Sequence, residues 1–353
     1  MTGGALLLLS MAEQFPSPLS SRVAHPGAIA SPEDDAGLRW RPATLEDVPA
    51  IAALLAAIST RDHPAWSETS EEVEESLAHS WVDLARDTLV AHDAAGTMVA
   101  QGAVVETPEP ASIVRVFLLG GVHPAHRGRG IGRRLLEWQL ARGRERLSAS
   151  PHRMPGWLLS YAADRSPEHG SMLRAAGFAA ARYFTTLEAR LDVEVPDRPL
   201  PDGVRTVPFS PDLSEQVRVA KNAAFADHWG SQPMVGEAWK AMMRLPTVRG
   251  DLSRVALDGE TVIGFATVEV NEDDWARQGF SGSYVGLIGT LREYRGRGLA
   301  GALLADVMRA SQAEGFERCV LDVDTENATG ALGVYTRLGF TPTDREVAYS
   351  ITY

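Results

Sequence analysis

Two stretches of this chain, His126-Arg127-Gly128-Arg129-Gly130-Ile131-Gly132-Arg133-Arg134-Leu135-Leu136 and Tyr294-Arg295-Gly296-Arg297-Gly298-Leu299-Ala300-Gly301-Ala302-Leu303-Leu304, overlay residue by residue. Each follows an apolar run and opens a helix-spaced apolar series, Leu135, Leu136 and Leu140 in one and Leu303, Leu304 and Val307 in the other. The shared pattern is Arg-x-x-Gly-x-Gly/Ala. Glycines there let backbone approach a ligand closely, and free N–H groups at the start of a helix form a site for an anion such as a pyrophosphate. The arginines would add charge around it. A single six-residue match arises easily by chance or as a tight packing turn, whereas two in matched settings point to a duplicated unit.

The duplication extends beyond the loop. Leu173-Arg174-Ala175-Ala176-Gly177-Phe178 pairs at a similar offset with Tyr335-Thr336-Arg337-Leu338-Gly339-Phe340. In the first copy, strands are predicted at Leu38–Arg41, Thr88–His92, Met98–Val105, Val114–Gly120, Trp157–Ala162 and Phe184–Ala189. Helices are predicted from the Thr44 N-cap through Leu55, at Gly130–Leu147 and at Glu168–Ala176. In the second copy, strands are predicted at Val204–Val207, Val255–Leu257, Val262–Val270, Tyr284–Gly289, Cys319–Val323 and Arg345–Ile351. Its helices are predicted at Leu213–Ala224, Gly236–Met243, Gly298–Glu314 and Asn327–Leu338. The fold class expected is α/β (α+β): two tandem domains, each a mixed, mostly antiparallel sheet flanked by helices.

The length of 353 residues suits two domains. Residues 1–36, rich in Pro, Ser and Ala beyond a short leucine run, are expected to be a disordered leader, with Met11 a possible start. The first domain is then expected over 37–190. Pro196, Pro199 and Pro201 mark 191–203 as a linker, and the second domain is expected over 204–353. With 34 basic against 46 acidic side chains, the net charge of −12 argues against nucleic acid or an anionic membrane as a partner. Cys319 is the only cysteine, so no disulfide within the chain and no cysteine-clustered metal site is expected, and a reducing cytoplasm fits. No run approaches the roughly 20 apolar residues of a membrane span.

The loop and its surroundings resemble the GCN5-related N-acetyltransferase (GNAT) family, whose Arg/Gln-x-x-Gly-x-Gly/Ala loop follows the fourth strand and holds the pyrophosphate of acetyl-coenzyme A. The resemblance covers about residues 37 to 353 and is fullest in the second copy. There it includes Thr290, the loop from Arg295 to Ala300, the run Leu321-Asp322-Val323-Asp324-Thr325-Glu326-Asn327, then Tyr335 and Leu338-Gly339-Phe340. It implies acetyl-coenzyme A as acyl donor. The implied cofactor positions are Ile288, Gly289, Thr290, Arg295, Gly296, Arg297, Gly298, Leu299, Ala300 and Asn327, with Val122, Arg127, Gly128, Arg129, Gly130, Ile131 and Gly132 in the first copy. It also implies Tyr335 as the acid that protonates the departing thiolate. The chemistry asks for such a group, because amine attack on a thioester releases a thiolate, and general acid catalysis is typically worth about 10²–10⁴-fold. The plain alternative is a core tyrosine.

In the first copy Leu173 stands opposite Tyr335 and cannot donate a proton, so chemistry is expected in the second copy. A general base is also needed. Glu269 and Tyr284 are the candidates, and Phe225, Asp227, His228 and Trp229 are expected to wall the acceptor pocket. Among tandem members of the family, mycothiol synthase has a run similar to Asn222-Ala223-Ala224-Phe225-Ala226, although Tyr284 stands where its catalytic glutamate is expected. The expected activity is acetyl transfer to a primary amine of a small molecule. A non-catalytic acyl-coenzyme A sensor and a protein lysine acetyltransferase stay open, as does monomer against homodimer.

Overall fold

A computed structural model of the chain describes residues 15–34, 37–63, 66–326 and 331–353. Residues 15–34 correct the expectation of a disordered leader up to residue 36, because they pack on the first copy. Helix α1 (Leu19–Arg22) buries Leu19 completely, and the amides of Leu19 and Ser20 donate to the carbonyls of His152 and Ser150, both at 3.0 Å. Gly156 makes room for it, since a Cβ there would sit 2.6 Å from a Leu19 methyl. A polar, proline-rich composition hid one apolar anchor.

The first copy continues with β1 (Arg39–Arg41), α2 (Val48–Asp62), α3 (Ser70–Ala78), α4 (Leu84–Asp87), β2 (Thr88–His92), β3 (Met98–Glu106) and β4 (Val114–Val122). It then runs through α5 (Ile131–Ala149), β5 (Gly156–Ala163), α6 (Pro167–Ala175) and β6 (Ala179–Arg190). The second copy repeats the order: β7 (Val204–Pro208), α7 (Ser214–Ala224), α8 (Gly236–Met242), β8 (Arg254–Asp258), β9 (Thr261–Glu269), α9 (Glu272–Gln278) and β10 (Gly282–Thr290). Then come α10 (Leu299–Ala313), β11 (Arg318–Asp324), α11 (Ala331–Thr336) and β12 (Thr341–Thr352). Helices α3 and α9 were not expected from the sequence. Helix α3 carries four glutamates in nine residues and starts on a reciprocal cap, with Thr69 Oγ1 accepting from the Glu72 amide and Glu72 from the Thr69 amide. The 191–203 stretch contains no helix or strand, although Leu191 and Val195 are buried in the second copy's core.

All twelve strands form one sheet in the order β1-β2-β3-β4-β5-β12-β6-β11-β10-β9-β8-β7. The closing strands are exchanged. Strand β12, from the end of the second copy, lies antiparallel to β5 of the first (Val347↔Ala162), while β6 of the first copy lies antiparallel to β11 of the second (Asp322↔Thr186). The two exchanged strands pair with each other from Thr341↔Glu188 to Ser350↔Ala179. Exchange leaves neither half with an open sheet edge at the junction, which would otherwise template association. Helix α5 packs a leucine-rich face on β3, β4 and β5, and α10 packs the matching face on β8, β9 and β10. No helix among the described residues is long and apolar enough to cross a membrane.

Each half is completed by a strand of the other, so the two should not melt independently. Calorimetry should show one unfolding transition with equal calorimetric and van't Hoff enthalpies. Two resolved transitions would contradict the shared sheet as a single cooperative unit.

Candidate active site

The site begins where two parallel strands part. Strands β10 and β11 pair from Gly282↔Arg318 to Val285↔Leu321 and no further. Beyond that point β10 stays with β9 as far as Thr290↔Gly264, and β11 stays with β6 as far as Asp324↔Phe184. A register shift between Val285 and Leu287 turns β10 away, and the Leu287 amide donates to Thr267 Oγ1 at 3.0 Å. The result is a V-shaped opening whose β10 edge carries backbone groups free to meet a ligand. The first copy parts the same way, β4 and β5 pairing only from Val114↔Gly156 to Phe117↔Leu159.

Beyond each opening lies the glycine loop. Gly296 and Gly298 take φ of 75° and 84°, and Gly128 and Gly130 take 76° and 79°, the left-handed region that excludes most side chains. No heavy atom lies within 4 Å of a Cβ built at any of the four, so the glycines serve backbone conformation and leave open space at the helix start. Gly298 and Gly130 are the N-caps of α10 and α5, and neither helix start carries a side-chain cap. Thr290 Oγ1, just before the second loop, is buried and has no partner among the described residues. Uncapped amides, positive helix ends and an orphaned hydroxyl fit a pyrophosphate and its linker.

Arg295 and Arg127 are placed differently from the expectation that they add charge around the anion. Arg295 donates from Nε to Thr290 O (3.3 Å) and from Nη2 to Ala224 O (2.7 Å), and pairs with Asp227 at 3.5 Å. Arg127 likewise donates to Val122 O (3.1 Å) and clamps Asp62 through two bonds of 2.9 and 2.7 Å. Each ties its loop to the end of the preceding strand and to the first long helix of its copy. Arg297 and Arg129 are the exposed loop arginines, with the Arg297 guanidinium 5.3 Å above the Tyr294 ring. Leu299 and Ile131 are buried under the loops, while Ala300 and Gly132 lie in the first turns of α10 and α5.

Tyr335 lies on α11, buried against Phe340 with ring centroids 6.2 Å apart. Its hydroxyl has no hydrogen-bond partner among the described residues, and burial pushes its pKa up to about 12, which keeps it protonated. Leu173, its counterpart, is a fully buried core residue. Asn327 lies outside the described residues.

Glu269, at the end of β9, sits over the register shift of β10: a Cβ on Gly286 would collide with its carboxylate oxygen. Burial, with repulsion from Glu72, pushes its pKa up to about 7. Tyr284 is a donor, giving its hydroxyl proton to Asp322 Oδ2 at 2.8 Å, and burial with that carboxylate holds its pKa well above the usual value. It therefore cannot serve as the proton acceptor considered for it from sequence.

The four expected acceptor-wall residues divide. Asp227 is taken up by Arg295 and by Arg292 at 3.7 Å, so it braces the loop. Phe225 packs on His228 and Phe265 at centroid distances of 4.5 and 6.4 Å and closes on Gly289 beside the parting strands. Trp229 meets Trp157 of the first copy at 5.0 Å. The wall that sequence missed comes from the first copy. Ser67 Oγ donates to Asp274 Oδ1 at 2.9 Å, Thr247 Oγ1 to Glu72 Oε1 at 3.4 Å, and Ser80 Oγ to Glu237 Oε2 at 2.9 Å, laying Trp66–Glu72 across the face that holds Glu269. Only the polar run itself could have flagged it, because its partners lie some two hundred residues away.

The Acetyltransferase (GNAT) family matches this chain twice, over residues 53–154 and 223–340. The chain belongs to the GNAT acetyltransferase family. Mycothiol acetyltransferase of Arthrobacter sp. (strain FB24) is 30% identical over 326 residues, covering 86% of this chain and 91% of that one. Mycothiol acetyltransferase of Frankia casuarinae is 32% identical over 250 residues, covering 65% of this chain and 66% of that one. A crystal structure of a GCN5-related N-acetyltransferase from Sphaerobacter thermophilus shares the fold, with a TM-score of 0.68 at 24% identity over 90% of this chain and 96% of that one. The protein is thus a tandem GNAT N-acetyltransferase, of a family that uses acyl-coenzyme A donors.

Gly298→Ala should cost about 1–2 kcal/mol of stability through its left-handed φ alone, since the new methyl meets open space. Chemical denaturation measures it, and an unchanged midpoint would remove the conformational argument for that glycine.

Proposed function

We propose that the second copy transfers the acetyl group of acetyl-coenzyme A to a primary amine of a small molecule by direct attack, with Glu269 as base and Tyr335 as acid. The observation that carries this reading is the Glu269 carboxylate lying over Gly286, at the point where β10 and β11 part. Acetyl-coenzyme A would supply a carbonyl already activated as a thioester. Gly298, Leu299 and Ala300 would face its pyrophosphate with backbone amides, and Ile288, Gly289 and Thr290 would line its path along the free edge of β10. Glu269, with its pKa near 7, is suited to take a proton from the attacking amine near neutrality. Tyr335, protonated at any physiological pH, is suited to give its proton to the departing sulfur. The reaction balances because Glu269 gains one proton and Tyr335 loses one: as the C–N bond forms and the C–S bond breaks, the N–H proton ends on Glu269 and the phenol proton on the thiol. Exchange of protons with water then restores both.

The relatives named mycothiol acetyltransferase, a name that cites a small molecule, support a small acceptor over a protein one. A specific observation also favours donor binding in the first copy. Its loop opens on a cavity of about 340 Å³ lined by Gly120, Val122, Gly130, Gly132 and Met172. Leu173 in place of the tyrosine makes that site one for binding without turnover.

Tyr335→Phe should lower kcat by about 10²–10³-fold while calorimetric affinity for acetyl-coenzyme A stays within about twofold. Thiol release with an amine acceptor reads it, and an unchanged kcat would remove the acid role. The pH profile should rise through a midpoint near 7, because Glu269 acts only when ionised. Glu72→Gln removes a repulsion that disfavours that ionised form, so the midpoint should move to lower pH; no movement would dissociate Glu269 from the profile.

A further inference from the structure

The face of the sheet that carries Glu269 also carries a cleft that crosses from one copy to the other. Three adjoining cavities share walls there. Trp66 lines all of them, Tyr284 lines the two nearer the acyl-transfer centre, and Glu346 lines the two nearer the first copy. The largest, about 350 Å³, lies between α2, α3 and the β4–β5 opening. The acidic side chains of the cleft come from both halves: Glu68 and Glu72 from the first, and Glu269, Asp274, Asp322, Asp344 and Glu346 from the second. Four of the seven are already engaged. Asp274 accepts from Ser67 (2.9 Å), Asp322 accepts from Tyr284 (2.8 Å), Asp344 pairs with Arg165 (2.9 Å), and Glu72 accepts from the Thr69 amide (2.7 Å).

Glu68, Glu269 and Glu346 have no hydrogen-bond or ion-pair partner among the described residues. Burial pushes each of their pKa values up to about 7, and the basic side chains near them are His63, on the wall of the largest cavity, and Arg345, which pairs outward with Asp164 at 3.8 Å. An unpaired, partly buried carboxylate is costly, so these half-buried groups are poised to gain a cationic partner. They do not converge on one point: among the described residues no three His, Cys, Asp or Glu side chains are placed to hold a metal ion. Strand β12, bearing Glu346, is three strand positions from β10 and four from β9, bearing Glu269. At about 4.8 Å per strand that separates them by roughly 14–19 Å.

Resting on the acetyl-transfer reading above, we propose that the acceptor is an elongated small molecule with at least two amines. One is presented at Glu269 for acylation, and another is held as a cation between Glu68 and Glu346. Spaced charges of one sign match an extended polyamine or a multi-ring amino sugar better than a compact monoamine, and the cleft spans the required length. Glu68 and Glu346 are specificity residues here and take no part in proton transfer. Because one comes from each copy, the acceptor site exists only in the joined tandem.

The test measures thiol release by the full chain from acetyl-coenzyme A with spermidine, kanamycin A and n-butylamine. The polyamine or the amino sugar should show a KM at least about tenfold below that of butylamine. Glu68→Gln and Glu346→Gln should each raise that KM about tenfold, with kcat within about twofold and the KM for butylamine unchanged. Spermidine titrated calorimetrically into wild-type protein, in two buffers of different ionisation enthalpy, should release protons near pH 7, a readout that does not depend on how the variants fold. Equal KM values for all three amines, or variants that leave the preferred KM unchanged, would overturn the dibasic acceptor while leaving acetyl transfer standing. Thiol release with no amine, alongside spermidine binding that releases protons, would support the cationic cleft and remove the acetyl-transfer reading. Neither thiol release nor spermidine binding would overturn both.

Discussion

The antiparallel pairing of β6 with β12 is the constraint on which the rest of this molecule depends. Each strand leaves its own copy and completes the other, so the junction between the halves is a continuous ladder of backbone hydrogen bonds. That ladder fixes the relative position of the two copies and lets the Trp66–Glu72 segment of one form a wall for the other. A looser junction, made of side chains on two closed domains, would resemble a transient interface and allow relative motion.

Within each half, function follows from a local failure of pairing. Parallel strands that hydrogen-bond throughout offer no backbone group to a ligand, and here the pairing stops after four residue pairs in both copies. In the second copy a register shift at Val285–Leu287 turns β10 away, and in both copies the arginine clamps hold the glycine loop beyond the strand. The same arginine therefore has a structural duty in both copies, whereas the tyrosine that distinguishes them occurs in only one.

Electrostatics adds a second layer. A chain with a net charge of −12 has many carboxylates to spare, and most on its surface are solvated or paired. Those facing the central cleft are partly stripped of water and lie near other carboxylates, which moves Glu68, Glu269 and Glu346 into the neutral range. Burial alone would make such groups inert. Glu269 differs in lying over Gly286 where β10 and β11 part, the position on which the proposed base role rests.

By itself the sequence determined the duplication, the strands and the longest helices, the two loops and the difference between Tyr335 and Leu173. These are local features: apolar spacing sets the period of an element, and only glycine adopts the loop's backbone angles freely. It also marked Glu269, without showing what it faces. Tertiary structure alone decided the exchanged strands, the docking of Leu19, the assignment of Arg295 and Asp227 to bracing the loop, and the placing of Glu68 and Glu346 on the wall of one cavity. The physical reason is that strand alternation tells which face a side chain takes but not which strand lies beside it. Contacts between residues hundreds of positions apart leave no trace in local spacing, so the acceptor cleft became visible only when the two copies closed one another's sheet.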